Sequence, residues 1–129
     1  MEIYAKPTVQ NYPENTSTRT VDINLSATQE STFTVVVPAK QEVPQYDHDA
    51  FLILGPDGEK PEWEKRHGSP LVDITDRENP QPKTEVTLMT LPREALIPYV
   101  GKEVQLRYRT YGETQQYRYS EPITLNIQA

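Results

Sequence analysis

Cysteine and long apolar runs are both absent from the sequence. Without cysteine the chain has no disulfide, thiol nucleophile or thiolate metal site, although its cellular compartment stays open. No apolar stretch approaches the roughly 20 residues that a membrane helix needs, and the opening MEIYAK lacks the basic-then-apolar build of a signal peptide. We expect a soluble protein without membrane insertion, either cytoplasmic or excised from a secreted or surface protein.

Positive charge is also scarce. Thirteen Lys and Arg residues stand against nineteen Asp and Glu residues, which gives a formal net charge of −6. Nucleic acids and anionic membranes are negatively charged and bind proteins with a positive surface potential. The net negative charge therefore disfavours both kinds of partner. We therefore expect a protein or a glycan as the partner, and no nucleic acid.

The length of 129 residues is typical of one domain. A domain of this size buries roughly two thirds of the surface that its unfolded chain exposes, so it folds without a disulfide or a structural metal. Only 35% of the residues are hydrophobic, but they fall in short, well-formed runs. We expect residues 1–129 to form a single domain that needs no cofactor.

Strand patterns occur at residues 20–25, 32–37, 50–54, 85–90, 104–109 and 117–127. Most of them alternate polar and apolar residues, as strands with one buried face do. The segment from Ala50 to Leu54 is continuously apolar instead, which indicates a central strand buried on both faces. About seven short strands in all predict an all-β fold, an antiparallel two-sheet β-sandwich. Its predicted core consists of Phe33, Val35, Ile53, Val86, Leu88, Leu106, Tyr108, Leu125 and Ile127.

Three segments are less regular. Residues 1–19 are polar and form either an edge strand around Pro7 to Val9 or a flexible leader. Residues 55–82 are a long polar loop region, in which 71–74 supplies a short strand and 61–63 the far arm of a hairpin. Pro92 to Tyr99 has good helix formers but meets a second proline after about one turn, so it is a crossover that carries Leu96, and possibly Ile97, into the core.

The second half of the chain resembles the last three strands of bacterial immunoglobulin-like or fibronectin type III-like modules. The residues that carry the resemblance are Val86-Thr87-Leu88, Pro92, Tyr99-Val100-Gly101, Val104 to Tyr108 and Ser120 to Ile127, together with Ala5 to Val9 as a proline-bearing first strand. Leu54 stands where such modules commonly have a tryptophan, and only one copy is present. The resemblance implies a spacer or binding role and brings no catalytic residue.

Candidate chemistry is sparse in the remaining residues. His48 and His67 lie in polar segments without a recognised ligand spacing, which favours solvated loop histidines. Acidic residues flank the strand at 50–54, but they lack the pattern of a calcium loop; they are Asp47, Asp49, Asp57 and Glu59. No serine stands in a nucleophile elbow. The sequence thus predicts no enzyme activity, no metal site and no cofactor.

The final hairpin is the most suggestive surface. If Val104, Leu106 and Tyr108 face the core, the alternate residues of this strand face outward. The candidate binding residues are then Arg107, Arg109, Tyr111, Tyr117, Arg118 and Tyr119. Tyr and Arg are enriched at binding hot spots, but they also support neighbouring strands by stacking across a sheet. Both interpretations stay open.

Trp63, the only tryptophan, completes the candidate site residues. It is either an anchor that plugs one end of the sandwich or an exposed platform for a sugar ring. Two functions follow. The first is a non-catalytic protein-interaction or adhesion module that presents loops and the Tyr/Arg hairpin, and the alternative is a lectin-like carbohydrate-binding module. The oligomeric state stays open.

The strand patterns predict a far-ultraviolet circular dichroism spectrum dominated by β-structure. The alternation in at least five segments and the scarcity of helix signals are the reasons. A spectrum dominated by helix would contradict the fold class.

Overall fold

The computed structural model describes residues 2–44, 49–56, 60–76, 78–112 and 115–129, with only the backbone of residues 2 and 3. In chain order, its strands are β1 (Glu2–Tyr4), β2 (Thr8–Val9), β3 (Thr20–Asn24), β4 (Thr32–Val37), β5 (Asp49–Leu54), β6 (Trp63–His67), β7 (Val72–Asp73), β8 (Gln81–Pro82), β9 (Thr87–Pro92), β10 (Lys102–Tyr111), β11 (Arg118–Ser120) and β12 (Ile123–Gln128). The predicted all-β class is confirmed.

In the part of the chain that the structure describes, helix is confined to three-residue 3-10 turns at Leu25–Ala27, Arg93–Ala95 and Ile97–Tyr99. Within the described residues, no helix has the length and apolar character that crossing a membrane requires.

The largest sheet is built around β10, which has partners on both of its edges. On one edge β5 pairs antiparallel with β10, from Leu54 opposite Leu106 to Asp49 opposite Tyr111, and β6 lies beyond β5. On the other edge β12 pairs with the first half of β10 and β11 with its end. β1 and β3 run parallel to β11 and β12 and complete the seven-stranded sheet.

A smaller antiparallel sheet has the order β2, β4, β9, and β7 pairs with β8 in a separate ribbon. The buried apolar side chains of the two larger sheets belong to one cluster, except Ile53 of β5, which the sequence had assigned to the same core. The inner faces of both sheets therefore contribute to the same core.

The strand patterns placed the buried faces of β4 and β5 correctly. Phe33, Val35 and Val37 of β4 are each at most 2% exposed. In β5, the neighbouring residues Leu52 and Ile53 point to opposite faces, yet each is only 1% exposed. Leu52 belongs to the core cluster and Ile53 does not, so the opposite face of β5 is also covered, but outside that core.

Tyr108 connects the start of the chain to the centre of the large sheet. Its hydroxyl donates a hydrogen bond to the carbonyl oxygen of Ala5 at 2.6 Å and accepts one from Gln41 Nε2 at 2.7 Å. The ring of Tyr4 stacks on that of Tyr108, with 5.7 Å between the centroids. Burial raises the pKa of the Tyr108 phenol to about 12, so the donor keeps its proton. Of the two alternatives for residues 1–19, the structure has edge strands.

The region 55–82 contains more strand than the sequence predicts. The expected hairpin arm at 61–63 is present and continues as β6, with Trp63 opposite Leu54. The expected short strand at 71–74 is present as β7. Asp57 and Gly58, in the predicted turn, lie outside the described residues.

The predicted face of β9 is wrong. Val86 and Leu88, assigned to the core, are 52% and 54% exposed, whereas Met89 and Leu91 are buried. Apolar residues occur at alternate positions on both faces of this segment, so the sequence pattern fits either orientation. A shift of one residue exchanges the two faces of a strand. Pairing with β4 decides the outcome, since Met89 lies opposite Val35 and Leu91 opposite Phe33.

The crossover between β9 and β10 consists of two 3-10 turns, as its short helical pattern indicates. Leu96 is completely buried between them, but Ile97 is 57% exposed and does not enter the core. Successive side chains of a three-residue turn point in different directions. Leu96 therefore fills the core, and Ile97 faces solvent.

The corrected face of β9 predicts opposite outcomes for two adjacent substitutions. Met89→Thr should lower the free energy of unfolding by about 2–3 kcal/mol, because it leaves a cavity and buries a hydroxyl. Leu88→Thr, the matched control, should change it by less than about 0.5 kcal/mol. Urea unfolding measures both. A larger loss of unfolding free energy in Leu88→Thr than in Met89→Thr would indicate that Leu88 is the buried residue.

Candidate functional site

Arg107 and Arg109 do not form the exposed surface that the sequence predicts. They are 6% and 4% exposed. Their backbone positions alternate with that of Tyr108, so they do lie on the opposite face of β10, but neighbouring side chains cover that face. Their guanidinium groups are therefore not available to a partner in this conformation.

Arg109 lies between two aromatic rings and a carboxylate. Its guanidinium carbon is 3.7 Å from the ring centroid of Tyr117 and 5.9 Å from that of Phe51. The same group forms an ion pair with Glu64 Oε2. A desolvated cation against an aromatic face gains about 2 kcal/mol, and the carboxylate offsets the cost of burying the charge. These contacts agree with cross-strand support rather than with a contact surface.

The tyrosines of the hairpin close this cluster from outside. Tyr117 packs against Tyr111 with 4.6 Å between ring centroids, and Tyr117 itself is 39% exposed. Arg118 and Tyr119 are half-buried in β11, opposite Thr110 and Arg109. Of the six predicted hairpin residues, Tyr117 is thus the most exposed.

Trp63 lies at one end of the large sheet and lines an open groove of about 1100 Å³. It is the first residue of β6 and is partly buried against the core, as expected of an anchor. It also contributes to the wall of the groove, so the anchor and platform interpretations are compatible. The groove is lined by Pro56, Glu62, Trp63, Glu94, Ala95, Pro98, Tyr99, Lys102, Glu103, Val104, Gln105 and Thr124.

A hydrogen bond connects two walls of the groove. The Tyr99 hydroxyl donates to Glu62 Oε1 at 2.8 Å, which joins the second 3-10 turn of the crossover to the β5–β6 hairpin. Burial, together with the hydrogen bond and the charge of Glu62, raises the pKa of Tyr99 to about 12. The phenol therefore keeps the proton of this hydrogen bond to a higher pH than an ordinary tyrosine does.

The rim of the groove is acidic. Glu62, Glu94 and Glu103 are exposed there, against a single lysine, Lys102. The open volume, two aromatic side chains and an excess of carboxylates occur together at this one place.

The structure places the remaining candidate residues on β5 and β6 or outside the described part of the chain. His67 is the last residue of β6 rather than a loop residue, and burial, with a smaller effect of Lys83, lowers its pKa. Asp49 accepts a hydrogen bond from Arg66 at 2.6 Å. Among the described residues, no three His, Asp or Glu side chains are grouped to hold a metal. His48, Asp47, Asp57 and Glu59 lie outside those residues.

Sequence reasoning identified Trp63 but missed the residues that form the groove with it. Tyr99 and Pro98 belong to a crossover that the sequence marks only as a core plug, and Glu94 and Glu103 are indistinguishable from other surface acids. A tyrosine directly after a proline in a short turn was the available signal, since such a turn cannot bury every side chain.

Searches with this chain find no matching family model, curated protein or solved structure.

The burial of Arg109 predicts a structural role. Arg109→Ala should lower the thermal midpoint by about 6 °C or more, because it removes packed area and leaves Glu64 without its cation. Arg66→Ala removes the cation of another ion pair, in which 69% of the arginine side chain is exposed. This control should lower the midpoint by no more than about 2 °C. Equal effects in a thermal melt would contradict a structural role for Arg109.

Proposed function

We propose that this chain is a non-catalytic binding module with an immunoglobulin-like arrangement of two sheets. Two features support the arrangement. The inner faces of both larger sheets share one buried cluster. The chain crosses repeatedly between these sheets, since β2, β4 and β9 are in one and β1, β3, β5 and β10 are in the other. Such crossings are typical of Greek-key sandwiches.

The groove beside Trp63 is the proposed ligand site. The observation that carries this proposal is the pair of partly buried rings, Trp63 and Tyr99, on a groove whose walls are joined by the Tyr99–Glu62 hydrogen bond. Rings held in place before binding provide contact area at little cost in conformational entropy, which is why aromatic residues are enriched at hot spots. The hairpin, by comparison, has its arginines engaged in internal contacts.

A protein partner is the first candidate because the groove is open and spans several segments of the chain. A carbohydrate is the second, and one observation favours it. The rings of Trp63 and Tyr99 lie near Glu62 and Gln105, and stacking surfaces beside hydroxyl-binding groups suit a pyranose.

Paired alanine substitutions test the location of the site. Peptide and glycan arrays are probed with the wild-type chain, Tyr99→Ala and Tyr117→Ala, which truncate the tyrosines of the groove and of the hairpin. Tyr99→Ala should weaken binding about fivefold or more, and Tyr117→Ala by less than twofold, because a buried anchor costs more than about 1 kcal/mol.

A larger loss of affinity in Tyr117→Ala than in Tyr99→Ala would indicate that the hairpin is the binding site. Binding confined to glycans would select the second candidate, and the absence of any ligand on both arrays would contradict a binding role for the groove. Circular dichroism of both variants verifies that they are folded.

A further inference from the structure

We propose that the groove beside Trp63 binds an extended, proline-containing peptide segment that carries positive charge. This inference rests on the proposed function and names its ligand class. The ligand would lie in the groove in the polyproline II conformation, with its basic side chains at the acidic rim.

The lining of the groove has the side chains that recognise such a segment. Trp63 and Tyr99 offer aromatic faces, and Pro56 and Pro98 offer flat, rigid apolar surfaces on two different walls. A polyproline II helix is already extended before it binds, so it loses little conformational entropy when its prolines dock between aromatic side chains. The volume of about 1100 Å³ is at the upper end of ordinary ligand sites, which suits several residues of a chain better than one sugar ring.

The charge of the rim favours a basic ligand. Among the described residues that line the groove, Glu62, Glu94 and Glu103 against Lys102 leave an excess of two negative charges. The net charge of −6 for the whole chain reinforces the attraction at longer range. A neutral sugar would gain nothing from this field, whereas arginine or lysine beside the prolines would gain affinity and speed of association.

The backbone of β10 also suits an extended ligand. The pairing of β5 with β10 ends at Leu54 opposite Leu106, and Gly55 N–H then donates to the carbonyl oxygen of Gln105 at 3.1 Å. Backbone groups two residues apart point to the same edge of a strand. The backbone of Glu103 therefore points to the side that β5 has left, where Glu103 lines the groove. Prolines have no N–H to donate, but their carbonyl oxygens could accept a hydrogen bond from the Glu103 N–H.

Trp63 provides a direct test, since it is the only tryptophan and its fluorescence reports on the groove alone. The probe is a synthetic peptide of six prolines with two arginines at each end, and the control peptide has glutamates in place of the arginines. Titration of the arginine peptide should shift the Trp63 emission to shorter wavelength with saturation, and the glutamate peptide should bind at least tenfold more weakly. Raising the salt from 0.05 to 0.5 M should weaken the arginine peptide several-fold, because salt screens exposed charges.

Two charge-neutralising substitutions test the rim. Glu94→Gln and Glu103→Gln should each raise the dissociation constant of the arginine peptide about two- to fivefold. Glu121→Gln, an exposed acid that does not line this groove, is the matched control and should change it by less than twofold. Equal dissociation constants for all three variants would overturn the role of the rim.

Other outcomes separate this inference from the proposed function. Equal binding of both peptides, or an emission shift with soluble oligosaccharides but not with the arginine peptide, would overturn the peptide class while the groove remained a ligand site. If array ligands failed to shift Trp63 and bound Tyr99→Ala as well as wild type, both proposals would fall.

Discussion

Burial of β10 on both faces is the constraint on which the rest of the structure depends. Its ten residues pair with β5 on one edge and with β11 and β12 on the other. Tyr108 on the inner face holds the start of the chain through its hydroxyl, and Arg109 on the outer face holds Glu64 and Tyr117. Through these contacts, β10 joins segments of the chain that lie more than a hundred positions apart.

The outer face of β10 shows how a charged strand residue becomes part of the interior. A guanidinium is costly to bury, but it has a planar apolar surface and a flexible stem. Phe51 and Tyr117 contact the cation from β5 and the hairpin, and Glu64 on β6 neutralises it. Because these three residues come from separate segments, the cluster ties β5, β6 and the hairpin to β10.

The end of the large sheet has a different character. There β5 ends opposite Leu106, whereas β10 begins earlier, at Lys102, and the crossover with Leu96 at its centre closes the core. Trp63 packs against that core from one side, and Tyr99 is fixed by Glu62 on the other. The unequal strand lengths leave a groove between them. In the proposed module, stability therefore comes from the middle of β10 and ligand contacts from its beginning.

The all-β class, the bounds and inner face of β4 at Thr32–Val37, the burial of β5 on both faces and the short turns after Pro92 are all readable from the sequence. These features follow from local patterns, since alternation and proline act within a few residues of the chain. The buried face of β9 is not readable in this way, because both faces have apolar residues and pairing with β4 selects Met89 and Leu91. The burial of Arg109 and the groove at Trp63 were likewise decided by residues distant in sequence, Glu64 and Tyr117 for the first and Tyr99 and Glu103 for the second. A local pattern specifies what a strand can bury, and its neighbours in space determine what it does bury.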